Sequence, residues 1–193
     1  MKQKVVIVIP IYEDNDSAER LLSELKKLYS EDIFIVAVDD GSVTNPFDIE
    51  CLNKLSIEGV VIQLKKNVGH QMAIAIGLQY VSNEIERAEK IVVMDADGED
   101  KPQHVKELID ACNADDVDIA VGSRRDRSEA RKFIFFYNIY KIIFKVLTGK
   151  SIAFGNFMCI KSNALKRIVV MPELWIHLAA SVLASKLRIS SCH

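Results

Sequence analysis

Short apolar runs alternate with helical stretches along the first 125 residues. The runs are rich in β-branched residues and bounded by polar or turn residues, which is typical of buried strands. They occupy residues 5–9, 33–38, 60–64, 91–94 and 117–121. The stretches between them carry apolar residues at helical spacing. This alternation predicts an α/β fold with a mainly parallel central sheet and helices on both faces.

Local signals place the helices more closely. Asp16 and Glu19 have capping-box spacing, so the first helix is expected to run from about Asp16 to residue 29. Ala73 and Gly77 are small and four residues apart, so one face of the third helix is expected to lie close to the sheet. Pro102 suits the first position of the next helix.

Acidic residues follow three of the predicted strands. Asp14 comes after the first, Asp39 and Asp40 end the second, and Asp95 and Asp97 follow the fourth. Right-handed crossovers place these strand ends along one edge of the sheet. Open α/β sheets bind their ligands at that edge. The sequence therefore predicts that these carboxylates converge on a ligand site.

The densest acidic stretch holds Asp95, Asp97, Glu99 and Asp100 within residues 94–100. In extended chain Asp95 and Asp97 point the same way, and such hard oxygen ligands suit Mg²⁺ or Mn²⁺ completed by a substrate's phosphates. Taken alone, the stretch is equally consistent with a solvated turn before a helix. The acids from the other strand ends and a basic loop at residues 123–132 favour metal–diphosphate binding.

The second half has a different character. Residues 133–147 are apolar nearly all round, which is consistent with a helix packed in protein or with one lying at a membrane surface. A bilayer span needs about 20 apolar residues, so this segment is too short to cross a membrane. The remaining elements are predicted as a strand at 152–160, short helices at 163–169 and 174–185, and a strand at 186–190.

The totals exclude several classes of protein. At 193 residues, 1–193 is expected to form a single domain. A net charge of −2 gives no general attraction to nucleic acid. The four cysteines form no CxxC pair, which favours reduced thiols and a cytoplasmic compartment. The apolar run at 5–9 is too short for a signal peptide. We also find no apolar stretch in the sequence long enough to span a bilayer.

Several blocks of the chain together resemble glycosyltransferase family 2, including its polyprenyl-phosphate sugar synthases and surface-glycan glycosyltransferases. They occur in the family's order across roughly residues 4–125. The matching blocks are residues 9–14, 38–42, 67–69 with Ala73 and Gly77, 95–97 and 122–124. The resemblance implies the GT-A fold of nucleotide-diphospho-sugar transferases, a three-layer sandwich. It also implies a nucleotide-sugar-binding half at 1–125 and an acceptor-side half at 126–193, which ends earlier than in relatives.

The resemblance assigns roles residue by residue. Asp97 would ligate the divalent metal, Mg²⁺ or Mn²⁺, and Glu99 stands where polyprenyl-phosphate synthases place a second ligand, usually Gln. Asp100 is then left as a helix cap ahead of Pro102. The donor contacts would be Pro10, Tyr12, Asp14, Asp39, Asp40, Asp95, Arg124 and Arg131. Arginines of the basic loop would neutralise the diphosphate or an acceptor phosphate.

The general base is the least defined member of the site. Relatives draw the base from the acceptor side, where Glu173 and His177 are the candidates. We predict Glu173 as the catalytic residue of the two. Each is also consistent with an ordinary surface residue of a helix. Asn156 stands where some relatives carry Asp and cannot act as a base. His70 is interpreted as a cap or surface residue rather than a ligand.

The predicted function is metal-dependent, inverting transfer of a sugar from a UDP- or GDP-sugar to a polyprenyl-phosphate or surface-glycan acceptor, as in cell-envelope polysaccharide synthesis. We expect this transfer to occur at the inner face of the plasma membrane, with the protein in peripheral contact through residues 133–147. The alternative is a catalytically impaired nucleotide-sugar-binding module. A nucleotidyltransferase or a Rossmann dehydrogenase is disfavoured, because no glycine-rich phosphate loop follows the first strand.

Overall fold

The computed structural model describes residues 4–29, 32–123 and 154–192. Predictions at Arg124, Arg131 and the segment 133–147 lie outside these residues. The strands are β1 (Lys4–Ile11), β2 (Ile33–Asp39), β3 (Gly59–Gln63), β4 (Ala88–Val93), β5 (Ile119–Ser123), β6 (Phe154–Lys161) and β7 (Ile189–Cys192). The helices are α1 (Asn15–Tyr29), α2 (Ile49–Lys54), α3 (His70–Glu84), α4 (Val105–Ala111), α5 (Ser162–Ile168) and α6 (Leu178–Ala184), with 3₁₀ turns at Pro102–His104 and Pro172–Trp175.

The strands form one sheet in the order β3-β2-β1-β4-β6-β5-β7. The mainly parallel sheet predicted from the strand–helix alternation is confirmed, since β1 pairs in parallel with both β2 and β4, and β2 with β3. One strand departs from the expected pattern. The antiparallel β6 lies between β4 and β5, so the fourth and fifth strands are not neighbours.

Both faces of the sheet are covered, as the continuous apolar strands predict. Val6 and Val8 of β1 point to the face that packs against α3, α5 and α6. Ile7 and Ile9 point to the opposite face, where Leu22 of α1 lies in the same core. Because alternate residues of one strand enter different cores, every position of β1 after Lys4 is apolar.

The third helix lies close to the sheet, as its small residues predict. A Cβ added to Gly77 would lie 2.5 Å from Cγ1 of Val8 and 3.0 Å from Cγ2 of Val38. Both distances are shorter than a normal carbon–carbon contact. Glycine at this position therefore sets the spacing between α3 and the centre of the sheet.

Two predicted helix caps are wrong. Helix α1 begins at Asn15, one residue before Asp16, and its cap is Asp14, whose Oδ1 accepts the N–H of Ser17 at 3.3 Å. Asp100 does not cap the turn that starts at Pro102. Its Oδ2 accepts the N–H of Asp95 at 2.8 Å and so closes the acidic loop on itself.

An ion pair attaches the last strand to the sheet. Oδ2 of Asp118 accepts both the backbone N–H and Nε–H of Arg188, at 2.9 and 3.0 Å, and Oδ1 accepts Nη2–H at 2.7 Å. The carbonyl of Arg188 in turn accepts the N–H groups of Asp118 and Ile119. The guanidinium lowers the pKa of Asp118 from 3.8 to about 2.

We predict that Gly77→Ala destabilises the protein. The added methyl group overlaps Val8, which is fully buried. Overpacking of a core costs about 1–3 kcal/mol, and the better helix propensity of alanine returns only about 1 kcal/mol. Urea denaturation should show the loss, and adding Val8→Ala should make the double variant more stable than the sum of the single changes. Strict additivity would contradict the close approach of α3 to β1.

We also predict that Asp118→Asn lowers the urea midpoint at pH 7 more than at low pH. The folded-state pKa of Asp118 is lowered, so the ion pair stabilises fully above the unfolded value of 3.8 and fades as pH falls toward about 2. The difference between wild type and variant should shrink between pH 5 and pH 2. The exposed Asp116→Asn should show no such convergence of the two curves.

Candidate functional site

The carboxyl ends of β2, β1 and β4 are adjacent in the sheet, so the loops that follow them lie side by side. Pro10 pairs with Val38 and Ile11 with Asp39, and the N–H of Asp40 donates to the carbonyl of Ile11 at 2.8 Å. The acidic strand ends therefore lie at one edge of the sheet, as predicted.

Asp39 folds the loop after β2 back onto the strand. Its side chain is buried, Oδ1 accepts the N–H of Ser42 at 2.9 Å, and Oδ2 accepts the N–H of Phe47 at 2.8 Å. Charge-assisted bonds of this kind are the stronger ones in proteins. Asp39 thus fixes the shape of the 40–47 loop, and its predicted contact to a donor base or ribose stays a prediction.

Asp40 ties the same strand end to the start of α3. Oδ1 accepts the N–H of Val68 at 2.8 Å and Oδ2 accepts the N–H of Gly69 at 2.9 Å. The loop after β2 and the loop before α3 pass close to each other, because a Cβ added to Gly41 would lie 2.4 Å from the carbonyl carbon of Lys66. The contact of Asp40 with a donor likewise stays a prediction.

Glu13, in the loop after β1, also holds the 40–47 loop, a role that the sequence pattern did not predict. It has a left-handed φ of 51°, and its carboxylate accepts the N–H groups of Val43 (2.6 Å), Thr44 (3.0 Å) and Asn45 (3.2 Å). The amides of Thr44 and Val43 lower the pKa of Glu13. The N–H of Glu13 also donates to Oγ of Ser42 at 2.8 Å. The loops after β1 and β2 are therefore one hydrogen-bonded unit.

The remaining predicted donor contacts from the first strand differ in accessibility. Pro10 is buried inside β1, whereas Tyr12 is 51% exposed beside the loop held by Glu13. Asp14 is exposed and caps α1. Of these side chains, Tyr12 offers the open apolar ring on which a nucleotide base could lie.

The acidic loop after β4 is ordered by its own backbone. The N–H of Glu99 donates to Oδ1 of Asp97 at 2.9 Å, and Gly98 adopts a left-handed φ of 85°. Asp97 and Glu99 are exposed, whereas the side chain of Asp95 is only 20% exposed. The turn thus presents Asp97 and Glu99 outward at the edge and keeps Asp95 further in.

The donor set of this loop fits Mg²⁺ or Mn²⁺. Across residues 4–29, 32–123 and 154–192, no three His, Cys, Asp or Glu side chains converge as a ready-made metal cluster. These ions are commonly held by one or two carboxylates together with substrate phosphates and water. Asp97 and Glu99 are hard oxygen ligands in an accessible turn, which is what that arrangement requires.

A histidine missed as a site residue lies beside Asp95. His70 begins α3, and its Nε2 lies 3.3 Å from Oδ1 of Asp95 and 2.9 Å from Nδ2 of Asn156. The Asp95 carboxylate raises the pKa of His70. The interpretation of His70 as a plain cap or surface residue is incomplete, because Asn156 reaches it from 86 residues away.

The acceptor-side candidates have partly structural roles. His177 caps α6, since its Nδ1 accepts the N–H of Ala179 at 3.2 Å, which makes it a poor candidate for the base. Glu173 lies in the 3₁₀ turn Pro172–Trp175 and is partly buried. Its role as the catalytic base stays a prediction.

The sequence profile described as Glycosyl transferase family 2 matches residues 6–175, which include every described loop of the site. The chain belongs to this family. The match confirms the resemblance read from the strand-end blocks.

Curated relatives of this family member carry transferase names. A chain from Yersinia enterocolitica, named undecaprenyl-phosphate 4-deoxy-4-formamido-L-arabinose transferase, is 28% identical over 181 residues. A chain of the same name from Yersinia pestis is 29% identical over 181 residues. Each alignment covers 91% of this chain and 52% of the relative. The chain therefore spans about half the length of the curated relatives it matches.

Solved structures share the fold at low identity. TarS 1-349 of S. aureus superposes with a TM-score of 0.62 at 17% identity, covering 98% of this chain and 58% of that one. The mannosyltransferase PcManGT from Pyrobaculum calidifontis, in complex with GDP-Man and Mn²⁺, gives 0.63 at 14%, covering 100% and 55%. A 4-diphosphocytidyl-2C-methyl-D-erythritol synthase gives 0.60 at 13%, covering 100% and 89%. The predicted GT-A fold is confirmed, and the third example indicates that this fold also carries other chemistries.

We predict that Asp39→Asn and Asp40→Asn loosen different loops. An asparagine keeps one acceptor oxygen, so each change loses one charge-assisted hydrogen bond, about 1.5–3 kcal/mol. Amide hydrogen exchange should speed up about tenfold or more at Ser42 and Phe47 for Asp39→Asn, and at Val68 and Gly69 for Asp40→Asn. Each variant is the control for the other. Equal acceleration at all four amides would contradict the separate anchors.

Proposed function

We propose that this domain belongs to an inverting, metal-dependent glycosyltransferase that moves a sugar from a UDP- or GDP-sugar to a polyprenyl-phosphate or surface-glycan acceptor. One observation carries the proposal. Loops ordered by Asp39 and Asp40 lie at the same edge of the sheet as the exposed carboxylates Asp97 and Glu99, where open α/β folds bind ligands. Membership of glycosyl transferase family 2 supports the same reaction class.

The proposed site residues fall into two groups, one that shapes the nucleoside pocket and one that binds the metal and the sugar. The rigid loops held by Asp39, Asp40 and Glu13 provide a preformed wall for the nucleoside, which lowers the ordering cost of binding. Asp97 and Glu99 would hold the metal, whose positive charge would offset the negative charge of the diphosphate leaving group. Asp95, set further in, is placed to contact the sugar or ribose of the donor.

The need for a base depends on the acceptor. A phosphate acceptor is already an anion and attacks without losing a proton, whereas a hydroxyl acceptor requires a base. The curated relatives are named as undecaprenyl-phosphate transferases, which favours a lipid phosphate for this chain. With that acceptor Glu173 is not needed as a base, and with a glycan hydroxyl it remains the candidate.

With a lipid-linked acceptor, we expect the transfer to take place at the inner face of the plasma membrane. We propose that the segment 133–147, which is outside the described residues, makes the peripheral contact with the membrane. Within the ranges that the structure describes, no helix has both the length and the apolar character needed to cross a bilayer.

A binding module that takes the donor without transferring the sugar is the second candidate. The observation that favours it is Asn156, a neutral amide near the start of β6, at a position where some relatives in the family carry an acid. An amide cannot take a proton from an acceptor hydroxyl. Donor turnover measured with and without Mn²⁺ separates the two, since a binding module has affinity and no product.

We predict that Asp97→Asn weakens metal-dependent donor binding at least about tenfold. A lost charge-assisted contact contributes about 1.5–3 kcal/mol, and 1.4 kcal/mol is a factor of ten. Calorimetry with UDP-sugars and GDP-sugars, each with and without Mn²⁺, provides the measurement. Asp110→Asn is the matched control, because Asp110 is exposed and pairs with Lys106 on α4. Absence of binding to every nucleotide sugar by the wild type would refute the proposed function.

A further inference from the structure

A chain of hydrogen bonds runs from the start of α6 to the site edge. The backbone N–H of Leu178 donates to Oε1 of Gln71 at 2.9 Å, and Nε2 of Gln71 donates to Oδ1 of Asn156 at 3.1 Å. Nδ2 of Asn156 then lies 2.9 Å from Nε2 of His70. The chain joins α6, α3 and β6, and it ends on the imidazole that faces Asp95.

The backbone group at one end gives this chain a fixed direction. A main-chain N–H can only donate, so the atom of Gln71 that faces Leu178 must be the oxygen. The nitrogen of Gln71 then faces Asn156, whose oxygen must accept, and the Asn156 nitrogen is turned toward His70. Side-chain amides alone could be flipped end for end, but the anchor at Leu178 removes that freedom.

The direction decides where His70 carries its proton. Nδ2 of Asn156 is a donor, so Nε2 of His70 must accept, and the single proton of a neutral imidazole is then on Nδ1. The hydrogen bonding at Asp95 agrees with this arrangement, although the negative charge of Asp95 itself favours a protonated ring. Its Oδ1, 3.3 Å from the same Nε2, is buried and receives no hydrogen bond from the described residues.

We propose that Gln71 and Asn156 are positioning residues that hold His70 as the neutral Nδ1–H tautomer and so withhold its proton from Asp95. The carboxylate of Asp95 then remains an acceptor for a hydroxyl of the donor. This last step rests on the proposed function, whereas the tautomer does not. An aspartate at position 156 could only accept, and it would draw the imidazole proton to Nε2. The amide at this position is therefore what sets the direction.

The test is nitrogen-15 NMR of the full chain labelled at histidine, recorded at pH 8 without ligand. Long-range ¹H–¹⁵N correlations distinguish the two neutral tautomers directly. His70 should give the Nδ1–H pattern. His177 should give the opposite pattern in the same spectrum, because its Nδ1 accepts the N–H of Ala179. An Nε2–H pattern, or a doubly protonated ring, at His70 would overturn the inference.

Two variants separate positioning from simple packing. Asn156→Asp should change His70 to the Nε2–H form or to the imidazolium. Gln71→Met keeps the size of the side chain, removes the anchor of Asn156, and should convert His70 to a mixture of tautomers. If Asn156→Asp does not fold, Gln71→Met alone decides. An unchanged Nδ1–H pattern in a folded variant would refute the positioning role.

Donor calorimetry on the same samples tells the two proposals apart. Gln71→Met should weaken donor binding by up to about tenfold, since part of the population now pairs His70 with Asp95. Gln79→Met is the matched control, as Gln79 donates to Asn83 in an exposed contact within α3. Wild type with the Nδ1–H pattern but no donor affinity would refute the proposed function alone. Donor affinity with an Nε2–H pattern would refute the inference alone.

Discussion

The two carboxylates at the end of β2 are the constraint on which the site depends. Asp39 and Asp40 are both buried and receive all their observed hydrogen bonds from main-chain N–H groups of neighbouring loops. Burying a carboxylate is unfavourable unless such bonds compensate it. The loops after β2 and before α3 are therefore not free to reshape independently. A ligand at this edge meets a surface that is already formed.

Much of this arrangement could be predicted from local pattern. Apolar runs located the first five strands, and acids at their ends located the edge, since both signals lie within a few residues of each other. The antiparallel β6 could not be predicted in its place, because periodicity does not say which strands become neighbours. The His70–Asn156 contact depends on that placement. Glu13 was missed for a related reason, as its partners lie about 30 residues away on another loop.

The wider comparisons separate fold from chemistry. A named synthase and a named mannosyltransferase share the sheet with this chain at similar TM-scores. The sheet therefore does not select the reaction. We expect the difference in chemistry to come from side chains at the strand ends, where this chain has Asp97, Glu99 and Asn156. A test of function on this fold is accordingly a test of loop residues.

The antiparallel direction of β6 has a consequence for how the family can diversify. Strand β5 ends at Ser123 on the ligand edge, and β6, running the other way, begins at Phe154 opposite it. The connection between them thus leaves and rejoins the sheet at that same edge. Selection can therefore alter the sequence between these two strand ends while the loops held by Asp39 and Asp40 stay constant.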